Sequence, residues 1–198
     1  SINLSNFKRN PTYSRFIGND LRDEQTAIAF YNYIKNNYSF LLKTDVLNKF
    51  LVNDKIGNPM IYNIEGISIS PGTLRFVKVL GDVLNINENV KNIIEIGPGY
   101  GGQCLIVKAY FNDVKYSLLD IPESLLVSKT YLNKNDCDVT FIDTNDIIIE
   151  DNYDLVISDY CLSEIDSTGI DFYVNNVVNR CKCGYFTVNS IGELFKSY

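Results

Sequence analysis

The sequence predicts an α/β fold: a doubly wound, mostly parallel sheet with a helical lobe before it. Three observations carry this. From Val90 on, short apolar runs suited to strands buried on both faces alternate with helical stretches. The first of those runs, Asn92 to Ile96, breaks into a burst of glycines and then a helical stretch. The residues before 86 keep helical spacing, with no strand rhythm and no internal repeat. The chain therefore divides into residues 1–85, a helical lobe, and residues 86–198, the sheet domain.

Residues 1–19 read as irregular, punctuated by Pro11 and Gly18. A helix begins after Asn19 or Asp20, with Ala27, Tyr31, Ile34 and Tyr38 on one face. A second helix covers Phe40 to Val52, where Leu41, Leu42, Val46, Leu47, Phe50 and Leu51 are apolar. Residues 53–59 form a loop by composition, because Asn, Asp, Gly and Pro favour turns. Met60 to Tyr62 and Ile67 to Ile69 suit short extended pieces around Gly66. Ser70 and Pro71 start a helix as N-cap and first-turn proline. That helix runs from Thr73 to Leu84 and presents Leu74, Val77, Leu80 and Leu84.

In the sheet domain, strands are expected over Asn92 to Ile96, Tyr116 to Asp120, Val139 to Ile142, Leu155 to Ser158 and Gly184 to Asn189. Helices are expected over Gly102 to Phe111 and Pro122 to Asn133. A further helix shows Ile170, Tyr173, Val174, Val177 and Val178 on one face, an i, i+3, i+4, i+7, i+8 pattern. Residues 143–152 read as an acidic connection. Open sheets of this kind often carry more than five strands, so the C-terminal edge is expected to be missing or minimal.

Composition excludes several classes. A net charge of −6 argues against a broad nucleic-acid surface, which needs clustered Lys and Arg. No apolar run reaches the ~20 residues of a membrane span. The first ten residues lack the apolar stretch of a signal peptide. Five cysteines, with no C-x-x-C pair and no histidine, read as reduced thiols of a cytoplasmic protein, not a metal site. Cys181 and Cys183 alternate as same-face residues of a strand would. Without histidine, any proton transfer falls to a carboxylate, Tyr, Lys, Cys or water.

The stretch Ile93-Ile94-Glu95-Ile96-Gly97-Pro98-Gly99-Tyr100-Gly101-Gly102 reads as strand, bare-backbone turn and helix N-terminus. Such a turn lets a nucleotide-like ligand lie against the main chain. Gly97-x-Gly99-x-x-Gly102 matches the dinucleotide fingerprint, and Asp120 follows at about the 20-residue spacing of a ribose contact. A nicotinamide or flavin ligand is therefore one reading. Glu95 favours another. A carboxylate at the strand end, two residues before the first glycine, repels a pyrophosphate and suits a ligand with an ammonium and a sulfonium.

Glu95-x-Gly97-x-Gly99-x-Gly101 resembles motif I of class I S-adenosylmethionine-dependent methyltransferases, a Rossmann-like fold. Three stretches together resemble the sugar O-methyltransferase family: Ile94 to Gly102, Leu119-Asp120-Ile121-Pro122-Glu123-Ser124-Leu125, and Asp154 to Glu164. Asn58-Pro59 with Tyr62, and Ser70 to Phe76, resemble that family's N-terminal segment, so the likeness covers roughly residues 50–190. It implies S-adenosylmethionine as cofactor, S-adenosylhomocysteine as product, and a small-molecule acceptor, a sugar or nucleotide sugar. Residues 1–85 would then be the substrate-side cap. Nucleic acid and membrane are not expected partners.

The resemblance also implies roles. Gly97, Pro98, Gly99 and Gly101 would lie under the methionine part of the cofactor; a plain turn needing positive φ is the alternative. Glu95 would meet the ammonium or orient the loop, or else be tied to backbone N–H groups. Asp120 would accept the ribose hydroxyls, with Ile121 against the adenine; the alternative is a charge at the N-terminus of the next helix. Asp143 and Thr144 would hold the adenine amino group or cap a loop. Ser158, Asp159 and Tyr160 leave a strand at the carboxyl edge of the sheet, where ligands of open α/β sheets bind.

Asp159 or Glu164 is the expected base for a weakly nucleophilic hydroxyl, with Tyr160 behind them. Glu164 reads equally as a solvated charge. Arg75 would bind an anionic part of cofactor or substrate, or form a surface ion pair. Tyr62 and Tyr13 would be aromatic walls for a sugar. Two carboxylates could hold Mg²⁺, although no complete metal ligand set is present. The rival readings are an NAD(P)-dependent oxidoreductase, which here lacks a Tyr-x-x-x-Lys relay, a non-catalytic methyltransferase-like subunit, and methylation of a protein or nucleic-acid end.

Overall fold

The computed structural model describes residues 3–11, 23–146 and 152–188. Tyr13, the expected helix start at Asn19 or Asp20, much of the acidic connection and Asn189 lie outside these. Two compact units are present, and they interleave along the chain. The first is Ser1–Glu88, Gly102–Asn112 and Thr130–Cys137; the second is Asn89–Gly101, Asp113–Lys129 and Asp138–Tyr198.

The first unit is mostly helical. Helix α1 spans Glu24–Asn37, and Asp23 caps it by accepting from the Thr26 N–H and hydroxyl, each at 2.7 Å. The helix expected over Phe40 to Val52 is broken. Only Thr44–Phe50 is α-helical (α2), between 3-10 turns at Ser39–Leu42 and Leu51–Lys55. Lys43 makes the first break, with extended backbone at φ −60°, ψ 139°. Strands β1 (Tyr62–Ile64) and β2 (Ile67–Ile69) form an antiparallel hairpin. Its two turn residues, Glu65 and Gly66, both have positive φ, the geometry that matches strand twist in a two-residue hairpin. Met60 and Ile61 fall outside β1.

Helix α3 spans Pro71–Ile86, and its Ser70 cap accepts from Thr73 N–H at 3.0 Å. Helix α4 is Gly102–Tyr110; α5, Pro122–Asn133, belongs to the second unit up to Lys129 and to the first from Thr130. Ile34, Leu41, Phe50, Ile69, Leu74, Val77 and Leu80 are fully buried in this unit. Beside this apolar core sits a polar hub centred on Asn53, itself 1% exposed. Its carbonyl accepts from the Lys8 ammonium and from the Tyr131 hydroxyl. Its side chain accepts from Tyr131 at 2.7 Å and donates to Thr73 Oγ1 at 2.8 Å. Three distant segments thereby satisfy one buried amide, as burial of polar groups requires.

The second unit is a five-stranded parallel sheet in the order β5-β4-β3-β6-β7. The strands are β3 Asn92–Ile96, β4 Lys115–Asp120, β5 Thr140–Asp143, β6 Tyr153–Asp159 and β7 Cys181–Thr187. The earliest strand lies in the middle and the order reverses beside it, the mark of a Rossmann-like doubly wound sheet. Cys181 and Cys183 both lie on β7, as their alternation implied. One face carries Ile94, Ile96, Leu119 and Val156 into a core with Leu162 and Val177. Helices α6 (Cys161–Glu164) and α7 (Ser167–Asn176) follow β6. At the amino end of the strands, Asp154 accepts from the N–H groups of Lys91 and Asn92 and from the Lys182 ammonium at 2.7 Å. No helix among the described residues is long and apolar enough to cross a membrane.

Candidate functional site

Strand register builds the site. One residue past the Ile96–Leu119 pair, Gly97 stands level with Asp120, which pairs with Asp143. Two residues past the Glu95–Ile157 pair, the same level reaches Asp159, which pairs with Thr187. The carboxyl end of the sheet thus carries a row: Asp143, Asp120, Gly97, Asp159, Thr187. Gly97 and Asp159 flank the point where the strand order reverses, the place where ligands of open α/β sheets bind.

Gly97, Gly99 and Gly101 have φ of 69°, 57° and 88°, so all three occupy backbone that L residues avoid. The Gly97 N–H donates to Leu119 O at 3.0 Å and extends the ladder past β3; Gly101 N–H closes the turn on Pro98 O at 2.9 Å. The glycines differ in surroundings. A Cβ on Gly97 would meet Cys161 Cβ at 2.4 Å and Sγ at 2.5 Å. A Cβ on Gly99 would meet nothing within 4 Å. Gly97 is bare to admit Cys161, whereas Gly99 offers bare backbone to open space.

Glu95 lies beneath this turn, 2% exposed, and its Oε2 accepts from the Tyr116 hydroxyl at 2.8 Å. Asp120 accepts from Ser124 Oγ at 2.5 Å and from Ile121 N–H at 2.8 Å. Burial raises its carboxyl above the usual range, opposed by those two donors. Ile121 beside it is 51% exposed, a large apolar side chain left open at the edge of the row. Asp143 accepts from Asn145 N–H at 2.8 Å, and Thr144 begins a 3-10 turn.

On the other side, Ser158 is buried and its Oγ accepts from Leu162 N–H at 3.3 Å. Both carboxylate oxygens of Asp159 are buried. Tyr160 takes left-handed backbone, φ 72°, and its N–H donates to Thr187 O at 2.9 Å. For a residue with a side chain this conformation costs about 1–2 kcal/mol. It turns the chain at once into α6, whose first residue, Cys161, is set on the glycine turn. Glu164, at the end of α6, is exposed. Burial, then Asp120, Glu164 and Glu95, push the Cys161 thiol up to about 12. Tyr173 on α7 is pushed up to about 12 by burial, Cys161 and Asp120.

The structure therefore gathers Glu95, Gly97, Pro98, Gly99, Gly101, Asp120, Ile121, Asp143, Thr144, Ser158, Asp159, Tyr160 and Glu164 in one unit. Arg75 and Tyr62 belong to the other unit. There the Arg75 guanidinium lies 4.9 Å from the Phe76 ring centre, and Tyr62 pairs with Ile69. Cys161, Tyr116 and Tyr173, which the sequence shows only as a thiol, a strand residue and a helix-face residue, lie in the same unit as the row. The signal for Tyr116 was its place on the neighbouring strand, at even spacing from Asp120. Among the described residues, no group of three or more Cys, Asp or Glu side chains is placed to hold a metal ion.

No family model matches the chain, and no curated protein matches it. Among solved structures, the PH0226 protein of Pyrococcus horikoshii OT3 is similar at 17% identity and TM-score 0.46, over 52% of this chain and 50% of that one. An S-adenosylmethionine-dependent methyltransferase of Clostridium acetobutylicum ATCC 824 is similar at 15% identity and TM-score 0.44, over 52% and 44%. A Staphylococcus aureus protein assigned as a caffeoyl-CoA O-methyltransferase is similar at 17% identity and TM-score 0.47, over 81% and 69%. The chain spans half or less of the first two of these. With TM-scores under 0.5, the likenesses tell nothing further about this chain.

Proposed function

We propose that the chain is an S-adenosylmethionine-dependent methyltransferase acting on a hydroxyl of a small molecule, a sugar or nucleotide sugar. The observation that carries this is the charge around the glycine turn. The Glu95 carboxyl is buried two residues before it, with the Tyr116 hydroxyl donated to it, and aspartates stand on both sides in the row. That setting repels a pyrophosphate and favours a cation. The bare backbone at Gly99, with open space where a side chain would go, fits a ligand laid along the turn.

When bound, S-adenosylmethionine supplies a methyl group activated by its sulfonium. Gly97, Pro98, Gly99 and Gly101 shape the backbone surface for its methionine part. Asp120 is held by Ser124 and Ile121 at the end of β4, where its oxygens can accept from a ribose diol. Ile121 offers an apolar plate for the adenine, and Asp143 and Thr144 offer polar groups at its edge. Ser158 braces the start of α6. Asp159 and Glu164 are the groups available to take the proton of an acceptor hydroxyl, with Tyr160 between them. Holding the acceptor in line is the larger share of the rate.

Calorimetry of the chain with S-adenosylmethionine, S-adenosylhomocysteine and NAD tests the cofactor. Binding of NAD alone would overturn the S-adenosylmethionine reading. A screen of sugar nucleotides as acceptors, with Asp159→Asn and Glu164→Gln, tests the chemistry. Full turnover by both variants would end the carboxylate-base idea.

A further inference from the structure

We propose that Tyr116 is a positioning residue for cofactor binding: its hydroxyl, donated to Glu95 at 2.8 Å, holds in place the charge that draws a cationic ligand to the glycine turn. This rests on the S-adenosylmethionine reading and adds a residue to it. Glu95 pairs with Leu118 across β3 and β4, and Tyr116 is two residues before Leu118. Both side chains therefore stand on one face of adjacent strands. Tyr116 and Glu95 are each 2% exposed. A carboxylate so far from water stays charged only where donors are aimed at it, and a phenol O–H to a carboxylate is a strong one.

The charge of Glu95 reaches the turn itself. It is one of three carboxylates, with Asp120 and Glu164, that disfavour ionisation of Cys161. The Cys161 sulfur lies in the space a Gly97 side chain would take. A charge kept on Glu95 by the Tyr116 hydroxyl, two residues before the turn, therefore acts on whatever rests against it. A positive charge is favoured there, and the Tyr116 hydroxyl fixes where that favour is centred.

The test compares three ligands by calorimetry on the full chain. S-adenosylmethionine has a sulfonium and an ammonium, S-adenosylhomocysteine only the ammonium, and 5′-methylthioadenosine neither. Tyr116→Phe, which deletes one oxygen, is expected to weaken S-adenosylmethionine about tenfold and methylthioadenosine less than about twofold. Glu95→Gln is expected to show the same selectivity. The double variant is expected to bind within about twofold of Glu95→Gln, because the hydroxyl acts through the carboxylate.

Equal weakening of the cationic and neutral ligands, or additive losses in the double variant, would overturn the proposal, since a merely structural tyrosine does both. If Tyr116→Phe does not fold, Glu95→Gln decides: a loss shared equally by S-adenosylmethionine and methylthioadenosine refutes it. Wild-type chain that binds none of the three ligands refutes the cofactor reading itself, whereas normal binding with an unchanged ligand ratio in the variants refutes only the role of Tyr116.

Discussion

Cys161 fills the space that a side chain on Gly97 would need, with Cβ and Sγ 2.4 and 2.5 Å from where the glycine's Cβ would stand. Cys161 follows Tyr160, whose left-handed backbone turns the chain from β6 into α6. Gly97→Ala therefore meets two obstacles. Left-handed backbone costs alanine about 1–2 kcal/mol, and the clash adds to it. Thermal unfolding and calorimetry are expected to show lower stability and cofactor affinity reduced on the order of tenfold or more. Adding Cys161→Gly is expected to restore part of both losses by removing the clash while leaving the strained φ. No recovery in the double variant would show that the contact is immaterial.

The same burial makes Cys161 a poor nucleophile. Its thiol is pushed up to about 12, so at pH 8 it carries about a thousandth of the thiolate of an ordinary thiol. Iodoacetamide labelling read by mass spectrometry is expected to leave Cys161 unmodified in the folded chain long after it is labelled in urea. Equal rates in both states would contradict the packing. The linked effect on stability has a definite sign. Between the ordinary thiol value of 9.0 and about 12 the folded state holds a proton that the unfolded state has released. Stability is therefore expected to fall as pH rises above about 9. Cys181, at about 11, and Tyr173, at about 12, act in the same direction.

Lys8 gives the opposite slope at lower pH. Its ammonium bonds Asn53 and lies 5.1 Å from the Tyr131 ring centre and 5.7 Å from that of Phe7. Burial lowers it to about 7, opposed by Asp54. From about pH 7 to 10.5 the unfolded chain then binds more protons than the folded one, so stability rises with pH. Urea unfolding at pH 7 and pH 9 is expected to differ by about 2 kcal/mol in favour of pH 9. Lys8→Met is expected to flatten that difference; an unchanged slope would show that the amine is solvated.

Gly81, inside α3, separates propensity from packing. An alanine there would gain about 1 kcal/mol of helix propensity. Its Cβ would lie 2.1–2.5 Å from the ring of Tyr38, which is buried and whose hydroxyl donates to Asp82 at 2.6 Å. Moving that ring costs about 1–3 kcal/mol, so Gly81→Ala is expected to destabilise the chain by about 1 kcal/mol. A rise in Tm would mean that the ring yields freely.

The elements with strong periodicity were legible in the sequence, and the reasons are physical. Asn92 to Ile96 and Pro122 to Asn133 are single runs with clear ends, and the structure has both at those residues. The helix expected over Phe40 to Val52 failed because an apolar pattern does not report one extended residue, Lys43. Helix α6, at four residues, is too short to have a period. The aspartate row was visible only in part. Asp120 could be placed from its distance to Gly97, but Asp159 reaches the row because β6 pairs on the far side of β3, which no spacing states. Cys161 read only as one of five reduced structural thiols, since nothing in the spacing reports the left-handed backbone of Tyr160 before it.

The hub at Asn53 has a consequence for how the chain is made. The Tyr131 hydroxyl reaches Asn53 across 78 residues, and Lys8 reaches it across 45. The first unit also takes in Gly102–Asn112 and Thr130–Cys137. All of this unit's segments are present only once synthesis has passed Cys137, after the first two strands of the parallel sheet and the helix after each. The glycine turn and the aspartate at the end of β4 are thus already synthesised when the first unit completes.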